Sequence, residues 1–577
     1  MRKKTTFTRI LKLMKPYTLS FIISLILAVV IVVSTLFLPI LIGNAVDVII
    51  SKGNVDFLKL SRIIVQMLMC ILVNSISQGF MSKLHNYIVF CMVRDLRKNL
   101  FAKIQRLPVK FIDSKAHGTI ISNIVSDVEQ FSDGMLLGFG QFFTGILTII
   151  LTLFFILRLN VALALLVLII TPLSLFVSAF IAKKSFTYFK SQSEKRAAVT
   201  GIVDEMISGM STVKAFSTEE QVTDEFKEAD KNLGSSYLKA IFYSALVNPA
   251  TRFVNSIVYM CVGVAGALFA MNGAITIGQL VTALNYANQY TKPFNEISTV
   301  ITELQNSLAC ADRIFALLDE EEVVLNPNAI DIKNVKGDIT LENVAFSYRK
   351  DSKFIEDLNL VAKKGKRIAI VGPTGCGKTT LINLLMRFYE IDSGKITLDE
   401  MDIKDISLGS LRGSFGMVLQ ETWLQTGTVR ENIAMGKQDA TFEEIETAAK
   451  EAYADNFIKK LPQGYDTVIR QNGENLSAGQ RQLLCIARAM LALPTVLILD
   501  EATSSIDTRT ELKVQQAFDK LMKSRTSFIV AHRLSTIKQA DLILVMKDGK
   551  IIERGTHEEL INADSFYTKL YNSQYSA

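Results

Sequence analysis

Long uncharged runs fill the first half of the chain and short β-like runs the second, and the change falls near residue 320. Phe21–Ile42 carries 22 residues without a charge, enough for ~33 Å of helix and one bilayer crossing. Ile63–Ser82, Met135–Leu157 and Leu159–Ala182 repeat the pattern, and Arg158 and Asn160 mark a turn between the last two. Phe253–Tyr290 is uncharged for 38 residues, too long for one span, and Asn272-Gly273 breaks it. Any one of these runs could be a buried soluble helix, but the set argues for membrane. Six spans are predicted, at about residues 17–42, 60–90, 135–157, 159–183, 245–271 and 276–300, in an all-α transmembrane domain covering residues 1–318.

The polar flanks give the orientation. Arg2, Lys3, Lys4, Arg9, Lys12 and Lys15 precede the first span with no acid among them. Arg94, Arg97, Lys98, Lys103, Arg106 and Lys110 follow the second, and Lys183, Lys184, Lys190, Lys195 and Arg196 the fourth. The loops on the other side are short and less basic, so both termini are expected in the cytoplasm. About fifty residues separate spans two and three, and about seventy separate four and five. Both stretches read as helix, with apolar positions such as Ile202, Met206, Ile207 and Met210 among charges, so the membrane helices are expected to continue beyond the bilayer. Breaks are expected at Pro108–Gly118 and at Ala215–Glu220. In the second, Ser217 followed by Glu220 has the spacing of a capping box opening a short helix. That break reads either as a solvated turn or as a lever end for the following domain.

Leu325-Asn-Pro-Asn328 lies in a linker, residues 319–337, and residues 338–577 alternate strand-like and helical segments as an α/β domain does. Within it, Ile368–Val371 leads into Gly372-Pro373-Thr374-Gly375-Cys376-Gly377-Lys378-Thr379-Thr380. This is the strand–G-x-x-x-x-G-K-[ST]–helix pattern, whose glycines let backbone N–H groups converge on phosphate oxygens. Lys378 is expected on the β- and γ-phosphates of ATP and the Thr379 hydroxyl on Mg²⁺. Val496–Leu499 reads as a strand buried on both faces and ends in Asp500-Glu501. Asp500 would hold Mg²⁺ through water, and Glu501 would be the general base.

Composition narrows the class. A hydrophobic fraction of 49% over 577 residues fits membrane segments joined to a soluble domain. The net charge of +7 sits at span flanks, which argues against a nucleic-acid partner. The six cysteines form no C-x-x-C pair and read as small buried thiols. The first apolar stretch is too long for a signal-peptide core.

Asn475-Leu476-Ser477-Ala478-Gly479-Gln480-Arg481-Gln482, about twenty residues before Asp500, resembles the signature of ATP-binding cassette (ABC) transporters. Other residues match the family's motifs in order, and their roles are what the resemblance implies. Tyr348 corresponds to the aromatic on adenine, Gln420 to the glutamine linking Mg²⁺ and water to the membrane domain, Asp507 to the loop crossing to the partner domain, and His532 to the γ-phosphate histidine. Phe111-Ile-Asp113, Gly118 and Asp127-Val128 are similar to the first coupling loop of half-size exporters. Trp423, three residues past Gln420, is read as an aromatic anchor for the membrane-domain levers. Two positions depart from the pattern: Ala478 stands where glycine is usual, and Asn123 where many members have arginine.

The resemblance implies half of a dimer, in which one chain's phosphate loop and the other's Ser477, Gly479 and Gln480 sandwich each ATP. A complete Glu501 beside an altered signature favours a heterodimer over a homodimer. The expected activity is ATP hydrolysis driving alternating access in a bacterial plasma or inner membrane. Uncharged span centres favour drugs, lipids or other hydrophobic small molecules as exported cargo. Import through the same fold and an ATP-gated channel are the alternatives.

Overall fold

The computed structural model describes residues 2–50, 55–323, 326–349, 353–419, 422–470, 473–500, 507–531, 534–563 and 565–575. The chain divides into two compact units. One is Met1–Gln105 with Ala116–Glu320, and the other Arg106–Lys115 with Glu321–Ala577.

In the first unit, α1 is Thr18–Ile50 and α2 Phe57–Ile104, capped by the Asp56 carboxylate, which accepts from Leu58 N and Lys59 N. A short helix α3, Val109–Ser114, belongs to the second unit. The chain returns as α4, Ser126–Leu137, then a π-turn over Gly138–Phe142 and α5, Phe143–Leu159. Asn160 turns the chain and caps α6, Val161–Ser208, by accepting from Ala162 N and Leu163 N. The short α7, Met210–Ala215, precedes α8, Glu219–Met271, and α9, Ile277–Asp319. At the break between α8 and α9, Gly273 takes φ 72 and Ala274 N donates back to Phe269 O at 2.9 Å, a glycine-terminated helix end.

Among the described residues, Thr6–Ile49, Phe57–Ile104, His117–Leu159 and Glu219–Met271 are long and apolar enough to cross a membrane, and Val161–Leu173 is a shorter apolar helix. The expected sixth span lies in α9, where Asn285, Asn288, Gln289 and Lys292 interrupt the apolar run. The capping box expected from Ser217 and Glu220 does not form. Ser217 is left-handed at φ 52, whereas an N-cap needs an extended backbone, and Thr218 precedes α8 without a side-chain cap. The helix that opens there is the 53-residue α8, not a short one.

The packing of this unit joins distant segments. Tyr286 OH donates to Leu36 O at 2.7 Å from a fully buried position. Gly43 and Gly278 bring α1 and α9 into backbone contact, and a methyl on Gly278 would stand 2.0 Å from Gly43 O. α6 and α8 run antiparallel about the Ala215–Phe216 turn. Lys195 Nζ donates to Ser236 Oγ at 2.7 Å, and the Tyr188 and Tyr243 rings stack at 5.0 Å.

The second unit holds two main sheets. β1 (Ile339–Phe346), β2 (Ile355–Ala362), β4 (Ser393–Leu398) and β5 (Met401–Asp402) form an antiparallel sheet in the order β2-β1-β4-β5. The other sheet has the order β12-β11-β3-β10-β9-β6, parallel except at β12. Its strands are β3 (Arg367–Val371), β6 (Phe415–Val418), β9 (Val496–Asp500), β10 (Thr526–Val530), β11 (Leu542–Lys547) and β12 (Lys550–Gly555). A small ribbon pairs β7 (Gly427–Thr428) with β8 (Val468–Ile469). Helices cover both faces, which is why Ile368–Val371, Val496–Leu499 and Phe528–Val530 are all buried.

Candidate nucleotide-binding site

At the carboxyl end of β3 the chain leaves the sheet at Gly372, φ 154, and enters α10, Lys378–Leu385, after Gly375 at φ 81 and Gly377 at φ 107. A side chain at Gly372 is impossible as the loop stands, because its Cβ would lie 2.2 Å from the Met546 carbonyl of β11. Gly549 N donates to Cys376 O at 3.1 Å and ties down the buried middle of the loop. Pro373, Thr374 and Gly375 are exposed at its tip. Lys378 Nζ donates to Gly372 O at 2.8 Å and Pro373 O at 3.0 Å, which folds the ammonium over the loop. Thr379 is exposed, while Thr380 is buried and shares a 2.8 Å hydrogen bond with Tyr348 OH. The Tyr348 ring is edge-on to Phe346, Tyr389 and Phe354 at 4.9, 5.3 and 5.6 Å, and the residue remains 40% exposed.

Register brings the second acidic element to the same edge. Asp500 ends β9 opposite Val530 of β10, and Val530 lies opposite Ile370 of β3. The carboxylate and the loop therefore open at the carboxyl ends of parallel strands, where α/β sheets bind ligands. Gln420, Glu501 and His532 lie outside the described residues. β6, β9 and β10 end at Val418, Asp500 and Val530, so each of the three follows a strand on this edge.

The remaining expected residues stand apart from the loop. Among the described residues, no hydrogen bond joins Ser477, Gly479 or Gln480 to it. They open helix α13, Ala478–Ala492, which packs on α11 (Val429–Ala434), α12 (Phe442–Glu451) and β6. Ser477 and Gln480 form a reciprocal capping box, with Gln480 Oε1 accepting from Ser477 N at 2.9 Å. Asp507 caps α14, Thr508–Met522, by accepting from Thr510 N at 2.9 Å. That backbone bond holds its carboxyl below the usual range.

The donor set fits a nucleoside triphosphate. A glycine cradle that a methyl group would fill, a lysine folded over it and a helix N-terminus all favour phosphate oxygens, and a part-exposed tyrosine offers a face for a base. The Thr379 hydroxyl and the Asp500 carboxylate are oxygen ligands suited to Mg²⁺.

A family model described as ABC transporter transmembrane region matches residues 21–294, and one described as ABC transporter matches residues 355–504. The chain belongs to the ABC transporter family. The transporter is 40% identical over 527 residues, 91% of its length and 83% of the relative's, to the fatty acid ABC transporter ATP-binding/permease protein of Mycobacterium bovis. It is 38% identical over 484 residues, 84% of each chain, to the ATP-dependent lipid A-core flippase of Desulfotalea psychrophila. Its fold is similar to the structure of a bacterial Atm1-family ABC exporter with ATP bound, at a TM-score of 0.80 and 26% identity, covering 97% of this chain and 98% of that one. The transporter accordingly couples ATP hydrolysis to transport across a membrane. Tyr389 was not singled out in the sequence, although it meets Tyr348; the Phe388-Tyr389 pair just past α10 is the signal that could have marked it.

Proposed function

We propose that the transporter exports lipids or other hydrophobic or amphipathic small molecules, drugs included, by alternating access as one half of a dimer in the plasma or inner membrane of a bacterium. The observation that carries the dimer is the separation within one chain of the phosphate loop from Ser477, Gly479 and Gln480. Each set is well formed, and among the described residues neither bonds the other. The lipid reading draws support from relatives named for fatty acid and lipid A-core. Transmembrane residues 1–318, linker 319–337 and ATPase residues 338–577 are the proposed division of labour.

In this reading Tyr348 stacks on adenine, and the loop residues 372–380 wrap the phosphates. Lys378 exchanges its two carbonyl acceptors for β- and γ-phosphate oxygens. Thr379, Asp500 and Gln420 would hold Mg²⁺, which supplies positive charge against the phosphates. Glu501 polarises the attacking water, and His532 donates to the γ-phosphate as charge develops. The partner's Ser477, Gly479, Gln480 and Asp507 equivalents close the other side. The turn at the end of α7 exposes Phe216 (76%), and Trp423 is 55% exposed; these are the proposed lever tip and aromatic anchor. Closure is driven only by the difference in ATP affinity between open and closed forms.

We further propose a heterodimer, on the strength of a complete Glu501 together with Ala478 at the first position of α13, where glycine is usual in the family. Robust vanadate-sensitive ATPase from this chain purified alone would count against it. For direction and cargo, the test is inside-out vesicles equilibrated, inside and out, with a fluorescent fatty acid or a lipophilic cation. Export requires ATP-dependent accumulation inside, absent in Glu501→Gln. ATP-driven depletion would mean import.

A further inference from the structure

Beside the nucleotide loop, one hydrogen bond joins residues 276 positions apart. Tyr389 OH donates to the Asp113 carboxylate at 2.5 Å. Asp113 sits on α3, which is part of the second unit although the helices flanking it in sequence belong to the first. Tyr389 is 6% exposed, and burial, then the bond to Asp113, push its phenol well above the ordinary value. Its ring meets Phe346 at 5.5 Å and 70°, and Tyr348 at 5.3 Å and 82°. Tyr348 in turn is bonded to Thr380 in the first turn of α10. A continuous path therefore runs from the Asp113 carboxylate through the Tyr389 phenol and the Tyr348 ring to the hydroxyl of Thr380.

We propose that Tyr389 is a positioning residue for the nucleobase, and that through it Asp113 sets the affinity for ATP by way of the base rather than the phosphates. Edge-to-face pairs are directional, so the tilt of Tyr348 depends on where Tyr389 is held. A buried phenol that loses its charged acceptor must turn to find another, because leaving it unpaired is costly. Turning Tyr389 removes the edge against which Tyr348 is set. Among the described residues the phosphate loop makes no hydrogen bond to Asp113 or Tyr389 and meets this path only at the Thr380 hydroxyl, so Lys378 and its two carbonyl acceptors stay as they are. The coupling is reciprocal: whatever ATP gains from a docked Asp113, α3 gains from a bound base. This inference rests on the reading that Tyr348 carries the adenine.

The test uses the full chain in lipid nanodiscs, with its partner subunit if one is required for activity. The measurements are kcat and KM for ATP, with inorganic tripolyphosphate as a competitor that has phosphates and no base. Tyr389→Phe and Asp113→Ala should each raise the KM for ATP by about fivefold, with kcat falling by less than that, and leave the inhibition constant of tripolyphosphate unchanged. The double variant should do no more than either single one, since both remove the same bond. On a Tyr348→Ala background, Asp113→Ala should have no further effect. Additive effects, a parallel loss of tripolyphosphate binding, or a fall in kcat at constant KM would each overturn the inference. If Tyr348→Ala leaves the KM for ATP as it was, the adenine reading itself fails. If Tyr348→Ala raises it while Asp113→Ala and Tyr389→Phe do nothing, only the relay fails.

Discussion

The hairpin between β4 and β5 closes on two residues, Asp399 and Glu400, with Leu398 paired to Met401. Both have positive φ, 48 and 68, the requirement of a type I′ turn usually met by Asn-Gly. A non-glycine residue there costs roughly 1 kcal/mol. Asp399 is compensated, because its half-buried carboxylate accepts from Lys336 N at 2.6 Å, Gly337 N at 3.0 Å and Asp338 N at 2.9 Å. Those bonds fix the chain as it enters β1. Glu400 has no such compensation: its side chain makes no hydrogen bond or ion pair among the described residues. Replacing each by glycine should therefore give opposite signs. Glu400→Gly relieves the strain and stabilises by about 0.5–1 kcal/mol. Asp399→Gly gains a similar amount but loses three bonds to a charged acceptor, at about 1 kcal/mol each once partial solvation is allowed for, a net loss of about 2 kcal/mol. At ~2–4 °C per kcal/mol for a unit of this size, the melting temperature should rise by ~1–4 °C in one variant and fall by ~4–8 °C in the other. The single tryptophan, Trp423, lies in this unit, so its fluorescence follows the unfolding of the ATPase half within the full chain. If Asp399→Gly proves as stabilising as Glu400→Gly, the three backbone donors hold nothing and the anchoring argument is wrong.

Three further outcomes can be checked on purified protein. Gly372→Ala puts a methyl 2.2 Å from Met546 O, and the resulting shift of the loop should lower ATPase activity by about 100-fold or more. Ser477→Ala removes the cap of α13 and should cost about 1 kcal/mol, whereas Ser477→Asp keeps a capping oxygen yet places negative charge at the proposed phosphate side. The aspartate variant should melt like the parent protein and fail to hydrolyse ATP. Burial raises the Asp455 carboxyl, but hydrogen bonds from Lys459 and Tyr465 outweigh it and leave the group below its ordinary value. Its contribution is then present above an unfolded value of about 4 and lost as pH falls through the lower folded one, so Asp455→Asn should flatten the acid limb of urea stability below about pH 4.

Motifs carried by local backbone chemistry were legible in the sequence. Gly372, Gly375 and Gly377 are glycines because the loop needs those φ values and, at Gly372, contact with β11. Asn160 and Asn272-Gly273 announced turns, since a short amide caps a helix start and a left-handed glycine ends one. Ser217 and Glu220 misled for the same kind of reason. The spacing of a capping box is silent about φ, and a turn that sets Ser217 left-handed cannot use its hydroxyl as a cap. The Asp113–Tyr389 bond was out of reach, because nothing local to either residue specifies a partner 276 positions away. Asp507 was singled out for a motif role across an interface; within its own chain its carboxylate accepts from Thr510 N as a helix cap.

Hydropathy marks where the helices turn polar but not where they end. Lys, Glu, Gln and Ala are good helix formers, so a helix that turns polar has no reason to stop until a cap or a left-handed residue intervenes. α6 has 48 residues and α8 has 53, about 70–80 Å each at 1.5 Å per residue, against a hydrocarbon layer of about 30 Å. More than half of each therefore lies outside the apolar layer. An unsupported helix of that length would bend, yet this pair is cross-tied by the Lys195–Ser236 bond and the Tyr188–Tyr243 stack. A paired strut transmits displacement along its axis where a single helix would dissipate it. The ties along α6 and α8 therefore stiffen the pair toward the turn that exposes Phe216. Neither can be recognised from a hydropathy profile, because each depends on two helices meeting in register.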